Sequence, residues 1–425
     1  MNKNILFIHT KLDIGGVETF FLRLNVEFYK KGISVNFLII NDEYNNEIFD
    51  KIMEKSEIIF LKKFLIFNRF FSRFFKIFSP LDRKCIIETY KNIDVIHVGN
   101  ARQYFLAKRI ALILKKPVKI IFGIYHSNEI SWNIGGKVPF YEKFFRKDLF
   151  SSGASIYFPN DFSKNITLQN NIPYCNQAKN FMFPIGVVNN VVFSKSRKNS
   201  NECLRVCSVG RLVNFKTYNI HMINSIHELN KIGINVSYDI YGDGPCAINI
   251  ESLISTKKIN NVYLKGSFNY EDFNKIVGEY DCFVGSGTSL LQAASLGVPC
   301  IIGIENENEA KTYGLFTEID GIDYHEQDLM FQRKNFIDVL KCLYYLDNEK
   351  YFEISKKHNE KSMKFAMDKC ADSFLKMVCE TSISKFNKSN YIKFILMFIF
   401  ESILLKIFCR FNYSDKYKLK LKLYK

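Results

Sequence analysis

The stretch Asp281-Cys-Phe-Val-Gly-Ser-Gly-Thr-Ser-Leu-Leu-Gln-Ala-Ala-Ser-Leu-Gly-Val-Pro-Cys-Ile-Ile302 decides the fold. It reads as strand, small-residue turn, helix, Gly-x-Pro and strand. A short apolar run that passes through a helix into a second apolar run makes a βα unit of a parallel sheet. Gly287, Thr288 and Ser289 lie where the helix begins. Glycine admits close backbone approach, and free amides with two hydroxyls at the positive end of a helix make a seat for an anion. The alternative for this turn is plain N-capping by Ser or Thr.

Working outward, the same alternation recurs on both sides. Strands are predicted at Leu204–Val209, Val236–Tyr241, Val262–Leu264, Cys282–Val284 and Cys300–Ile302, with helices at Tyr218–Lys231, Tyr270–Glu279 and Leu290–Leu296. An earlier series offers strands at Ile5–His9, Val35–Ile40, Val95–Val98, Lys119–Tyr125 and Ser155–Phe158, with helices at Val17–Lys30, Gln103–Lys115 and Phe140–Phe150. The pattern is doubly wound twice over. Polar, aperiodic residues 194–202 separate the two series and read as a linker. After about Asn335 strands give way to helices, and the chain ends in a lysine-rich tail that reads as flexible. The expected domains are therefore 1–195, 196–375, and a helical and basic segment over 376–425.

Length agrees, since 425 residues exceed what one core organises. The charge of +16 favours an anionic partner without choosing among nucleic acid, a membrane surface and a phosphorylated substrate. No nucleic-acid motif is present, so that class is disfavoured. The 11 cysteines include no Cys-x2-Cys pair, and buried reduced thiols in a cytosolic protein fit better than zinc or disulfides. The first residues, Met1 to His9, read as a strand rather than a signal peptide. Neither an Asp-x-Asp pair nor a histidine cluster calls for a catalytic metal. Gly15-Gly16 lacks the Gly-x-Gly-x-x-Gly spacing of a dinucleotide oxidoreductase.

In open α/β sheets ligands gather beyond the carboxyl ends of the strands. The strand ending at Val209 runs into Gly210-Arg211-Leu-Val-Asn-Phe-Lys216, which sets an Arg fork and a Lys point charge at one crevice. That pair suits a diphosphate leaving group, and the alternative is two solvated surface cations.

Taken together, Gly210–Lys216, Tyr241-Gly-Asp-Gly-Pro245 and Gly287–Pro299 resemble the C-terminal half of the family-four retaining glycosyltransferases. Gly15-Gly16-Val-Glu-Thr19 resembles that family's N-terminal glycine loop. Tyr125-His126-Ser-Asn is similar to its inter-domain His segment, and Phe183-Pro-Ile-Gly-Val187 to the stretch preceding its second domain. The resemblance implies a GT-B fold, two Rossmann-like domains facing a central cleft, and transfer of a hexose from a nucleotide-sugar with retention of configuration. It implies that Arg211 and Lys216 bind the donor diphosphate, that Gly15, Gly16, Gly210, Gly242, Gly287, Thr288, Ser289 and Gln292 line the donor site, and that His126 lies near the donor sugar. No cofactor or metal is implied; cations take the metal's place. The family's Glu-x7-Glu pair is altered: its second position is Gln292 and its first falls at or near Val284. Gln keeps an acceptor oxygen but loses the charge. The Gly-Thr-Ser turn is similar to that of divergent members that build bacterial surface polysaccharide such as O-antigen or capsule. For those the acceptor is a glycan or a polyprenyl-diphosphate-linked chain.

Residues 61–78 carry a basic face, including Lys62, Arg69, Arg73 and Lys76, opposite a face of phenylalanines. This predicts a helix on the anionic inner face of the plasma membrane, or else one docked on its own sheet. Residues 391–408 divide between the same two alternatives. A nucleotide-sugar epimerase or hydrolase on the same fold, and a catalytically degenerate subunit of a transferase complex, are the competing functions.

Overall fold

A computed structural model describes residues 3–13, 15–66, 76–125, 130, 140–170, 178–189, 193, 202–385, 392–400 and 403. His126, Arg69, Arg73, nearly all of the 194–202 linker and the lysine-rich tail lie outside the described residues. The chain divides into two units. The first takes the described residues of 1–159, 163–183 and 372 onward, and the second 160–162 and 184–371.

The first unit is built on a seven-stranded sheet. Its strands are β1 (Asn4–His9), β2 (Ser34–Ile39), β3 (Glu57–Phe60), β4 (Val95–Val98), β5 (Lys119–Gly123), β6 (Ser155–Phe158) and β7 (Lys179–Met182). They pair in parallel in the order β3-β2-β1-β4-β5-β6-β7. The helices are α1 (Gly16–Lys30), α2 (Asn46–Met53), α3 (Arg83–Tyr90), α4 (Ala101–Leu114), α5 (Phe140–Ser151) and α6 (Asp161–Asn170). Central strands are apolar on both faces, as in Ile5 to Ile8 and Ile120 to Phe122, all buried, because a parallel strand is covered on both sides. Edge strand β7 is exposed at three of its four residues, and so offers no apolar run for sequence reasoning to find.

The described parts of 61–78 are not one continuous helix. A 3-10 turn spans Leu61–Phe64 and another Lys76–Phe78. Between them Leu65 bridges Leu81, the Ile66 amide donates to the Pro80 carbonyl at 3.1 Å and the Asp82 amide to that of Phe64 at 2.8 Å. Leu61, Phe64 and Ile77 are buried in the core, so the two described ends of the stretch are anchored inward, while residues 67–75, with Arg69 and Arg73, lie outside the described residues. Lys62 and Lys76 approach Asp42 at 3.6 and 3.4 Å.

A C-terminal helix over 392–400, with 403 also helical, returns to this unit. Phe394 is fully buried and its ring lies 3.4 Å from that of Phe105, while Phe398 packs at 5.2 Å from Phe78 and 5.3 Å from Tyr141. Phe394→Ala is expected to destabilise the protein by about 3 kcal/mol, seen as a lower Tm in a thermal melt. No described helix is long and apolar enough to cross a membrane.

The second unit has a five-stranded parallel sheet of β8 (Leu204–Val209), β9 (Val236–Tyr241), β10 (Val262–Gly266), β11 (Cys282–Gly285) and β12 (Cys300–Ile302), in the order β10-β9-β8-β11-β12. A two-stranded ladder, β13 (Lys311–Thr312) with β14 (Lys334–Asn335), is antiparallel. Its helices are α7 (Tyr218–Lys231), α8 (Ala247–Thr256), α9 (Phe273–Val277), α10 (Gly287–Ser295), α11 (Phe336–Tyr344) and α12 (Asn348–Ser362), with α13 (Met367–Glu380) following. The predicted helix over 270–279 is reduced to a 3-10 turn and the five residues of α9. Strand order reverses between β8 and β11, which opens a crevice at their carboxyl ends.

Candidate functional site

The loops leaving β8 and β9 continue the ladder beyond the strands. Gly210 N–H donates to the Tyr241 carbonyl at 3.0 Å, Leu212 N–H to that of Asp243 at 2.9 Å and Gly242 N–H to that of Gly266 at 2.9 Å. Backbones held this close leave no space for side chains. At Gly242, with φ +137°, a Cβ would overlap the Gly210 carbonyl oxygen, and at Gly244 one would overlap the Leu212 carbonyl oxygen. The glycines of Tyr241-Gly-Asp-Gly-Pro245 thus shape the neighbouring Gly210–Lys216 loop from behind.

On that loop Arg211 is exposed and Lys216 half-buried. The Lys216 ammonium rests over Gly210, 2.6 Å from where a Cβ would project. Neither cation has an ion pair or side-chain hydrogen bond with any described residue, although the unit has carboxylates to offer. The loop is tied from the other side by the Asn306 amide, which donates to the Phe215 carbonyl at 2.7 Å.

Across the reversal, β11 pairs with β8 through Cys282 with Val206 and Phe283 with Cys207, so the start of α10 stands beside the Arg211–Lys216 loop. Ser286 is the N-cap, yet no side chain caps the helix, because its Oγ donates to Glu305 Oε1 at 2.7 Å. Gly287 takes φ +65°, and nothing lies within 4 Å of the position a Cβ would occupy. Its glycine is required by conformation, and space stands open in front of it. Thr288 is half-exposed beside it, and Ser289 Oγ turns back to the Ser286 carbonyl at 3.3 Å. With the first-turn amides uncapped by any side chain, the plain N-capping alternative is not what forms.

Gln292 lies farther along α10, where its Nε2 donates to Asn274 Oδ1 at 3.0 Å. Val284 is wholly buried inside β11. The carboxylate that does reach the start of α10 is that of Glu305, three residues beyond β12. Sequence reasoning passed over it within the acidic run Glu305-Asn-Glu-Asn-Glu309. Its signal was position alone, just after a strand's carboxyl end.

The first unit has its own reversal, between β1 and β4. Gly15 is the N-cap of α1, and the Glu18 carboxylate folds over it to meet His9 Nε2 at 2.9 Å. Gly16 opens the helix with nothing within 4 Å of a Cβ. His97, buried in β4, is held neutral, with a pKa lowered to about 3 by desolvation and then by nearby His9. The Tyr125 hydroxyl stands 3.0 Å from its Nε2. A shallow groove on the second unit, lined by His227, Lys231 and Lys258 among others, lies at the amino ends of β9 and β10. The helix ends there, α7 at Lys231 and α8 at Thr256, are carboxyl termini, whose negative poles do not suit an anion.

No protein-family profile matches the chain, and no curated protein matches it in sequence. Solved structures do match its fold. Anabaena HepE, solved with UDP and glucose, is 12% identical with a TM-score of 0.62 over 88% of this chain and 99% of its own. A glycosyltransferase from Rickettsia africae is 14% identical, with a TM-score of 0.64 over 89% and 98%. The pneumococcal O-GlcNAc transferase GtfA, solved with UDP and GlcNAc, is 12% identical, with a TM-score of 0.58 over 89% and 99%. The chain has the GT-B type of fold, two Rossmann-like parallel-sheet domains with C-terminal helices.

Proposed function

We propose that the chain is a glycosyltransferase that moves a hexose from a nucleotide-sugar to a glycan or polyprenyl-diphosphate-linked acceptor, in bacterial surface-polysaccharide synthesis. One observation carries this reading: two cations without acidic partners among the described residues stand beside a helix N-terminus that no side chain caps, at the β8/β11 reversal. Backbone amides and a helix dipole favour a bound phosphate there, and Arg211 can fork two of its oxygens. As the sugar leaves, charge grows on the diphosphate, and donors fixed before the reaction stabilise it without reorganising. Arg211 and Lys216 do the work of a metal ion in this scheme. Glu305, oriented by Ser286, accepts a hydroxyl of the donor's sugar or ribose in place of the altered pair at Val284 and Gln292. Transfer proceeds with retention, as in the family-four enzymes, with His126 near the donor sugar and Gly15–Gly16 beside the diphosphate.

UDP is the nucleotide favoured, since HepE and GtfA were each solved with it. Residues 1–195 take the acceptor side and 196–375 the donor side. Attachment to the cytoplasmic face of the membrane through Arg69 and Arg73 completes the proposal; Lys76, expected to join them, is instead mostly buried beside Asp42. A catalytically degenerate binding subunit is the second reading, favoured by the two altered carboxylate positions. A thermal-shift panel of nucleotide-sugars tests the first: a true donor at roughly 100 times its Kd stabilises by about 2.7 kcal/mol. Labelled sugar from that donor should then appear on a lipid-linked acceptor. A panel in which no nucleotide-sugar raises the Tm overturns the donor site, and stabilisation without transfer or hydrolysis favours the degenerate subunit.

A further inference from the structure

The C-terminal helix is apolar on two faces, and described residues cover only one of them. Phe394 and Phe398 face the core of the first unit. Ile392, Leu396, Ile399, Phe400 and Ile403 are exposed, by 36% to 57% of their surface. At about 100° per residue these five fall within an arc of about 100°, centred nearly opposite the two buried phenylalanines. A contiguous apolar stripe on a helix whose core contacts are already made marks a surface for another partner.

Charge selects the partner. Lys393 is exposed at the edge of the stripe, and residues 404–425 carry seven cations against one acid, Asp415. An apolar stripe edged by Lys393 and followed in sequence by a cationic segment matches the boundary between acyl chains and anionic headgroups. A second copy of the chain would bring the same positive charge against itself. We propose that the outer face of this helix inserts shallowly into an anionic lipid bilayer while its inner face holds the first unit. One helix then serves as both packing element and anchor. The proposal deepens the lipid-linked acceptor reading and rests on it for its purpose, since an acceptor confined to a bilayer is met sooner by an enzyme confined to the same surface.

The test is flotation of the full chain with vesicles of phosphatidylcholine, with and without phosphatidylglycerol. Wild type should float with the anionic vesicles and weakly with the neutral ones. The double variant Leu396→Glu, Phe400→Glu should lose at least about 10-fold in bound fraction, from the lost burial of two large apolar side chains. Both positions are exposed, so its Tm and its stabilisation by UDP should match wild type, which separates this inference from the donor site. Undiminished flotation overturns the proposal. So does a wild-type dimer, seen by analytical ultracentrifugation, that the double variant converts to a monomer with flotation unchanged, because a second copy then covers the stripe.

Discussion

Arg211→Ala and Lys216→Ala are each expected to lower the rate of sugar transfer by about 100-fold, the equivalent of roughly 3 kcal/mol for one preorganised donor to a developing oxyanion. The surroundings of the two cations set this outcome. Each lacks an ion pair among the described residues, so neither contributes to stability through a partner that its removal would strand. The Tm of the unliganded variants should therefore stay near that of wild type while stabilisation by UDP collapses. If both cations act on one diphosphate, as proposed, the double variant should lose less than the sum of the single losses. Lys216→Arg should not restore activity, since a planar guanidinium does not fit where a compact ammonium rests against Gly210. Steady-state transfer rates and melts with and without UDP measure all of this, and wild-type rates in both single variants would remove these residues from the site.

Gly242→Ala should have the larger effect on the fold. The added methyl group would fall on the Gly210 carbonyl oxygen, a backbone atom fixed in the ladder by its neighbours Tyr241 and Asp243. A flexible side chain could swing aside, but this atom cannot move without separating the β8 and β9 loops. The backbone angle of +137° adds strain for any residue with a Cβ. A loss of about 4 kcal/mol or more is expected, or roughly 10 °C in Tm for a unit of this size. Circular dichroism melts measure it. Gly16→Ala, where the space is open, should melt near wild type and serves as the control.

Hydrophobic runs made both sheets legible, because parallel strands covered on two faces must be apolar throughout. Thus Leu204–Val209 and Val236–Tyr241 occur with the bounds the sequence suggests. Strand β7 went unseen because solvent sets the composition of an exposed edge, and β3 because its apolar run, Ile58 to Phe60, is only three residues long. The ends of residues 61–78 depart from their helical period for the opposite reason. At the two described ends the helical spacing, a local property, gives way to 3-10 turns that bury Leu61, Phe64 and Ile77. Within the candidate site, Arg211, Lys216 and Gly287–Ser289 stand out in the sequence because glycine and cations punctuate strand ends. Glu305 was not, since its partnership with Ser286 joins two loops that only the fold brings together.

That partnership leaves α10 in an unusual thermodynamic position. A serine at an N-cap ordinarily completes the first turn and contributes about 1 kcal/mol to the helix. Here the hydroxyl is committed to Glu305, and the leading amides are left to whatever anion arrives. On the proposed function a bound phosphate acts as the helix's own cap, so occupancy and the order of the first turn become a single equilibrium. Departure of the nucleotide after transfer would loosen the very turn that held it, which couples product release to a fraying helix end.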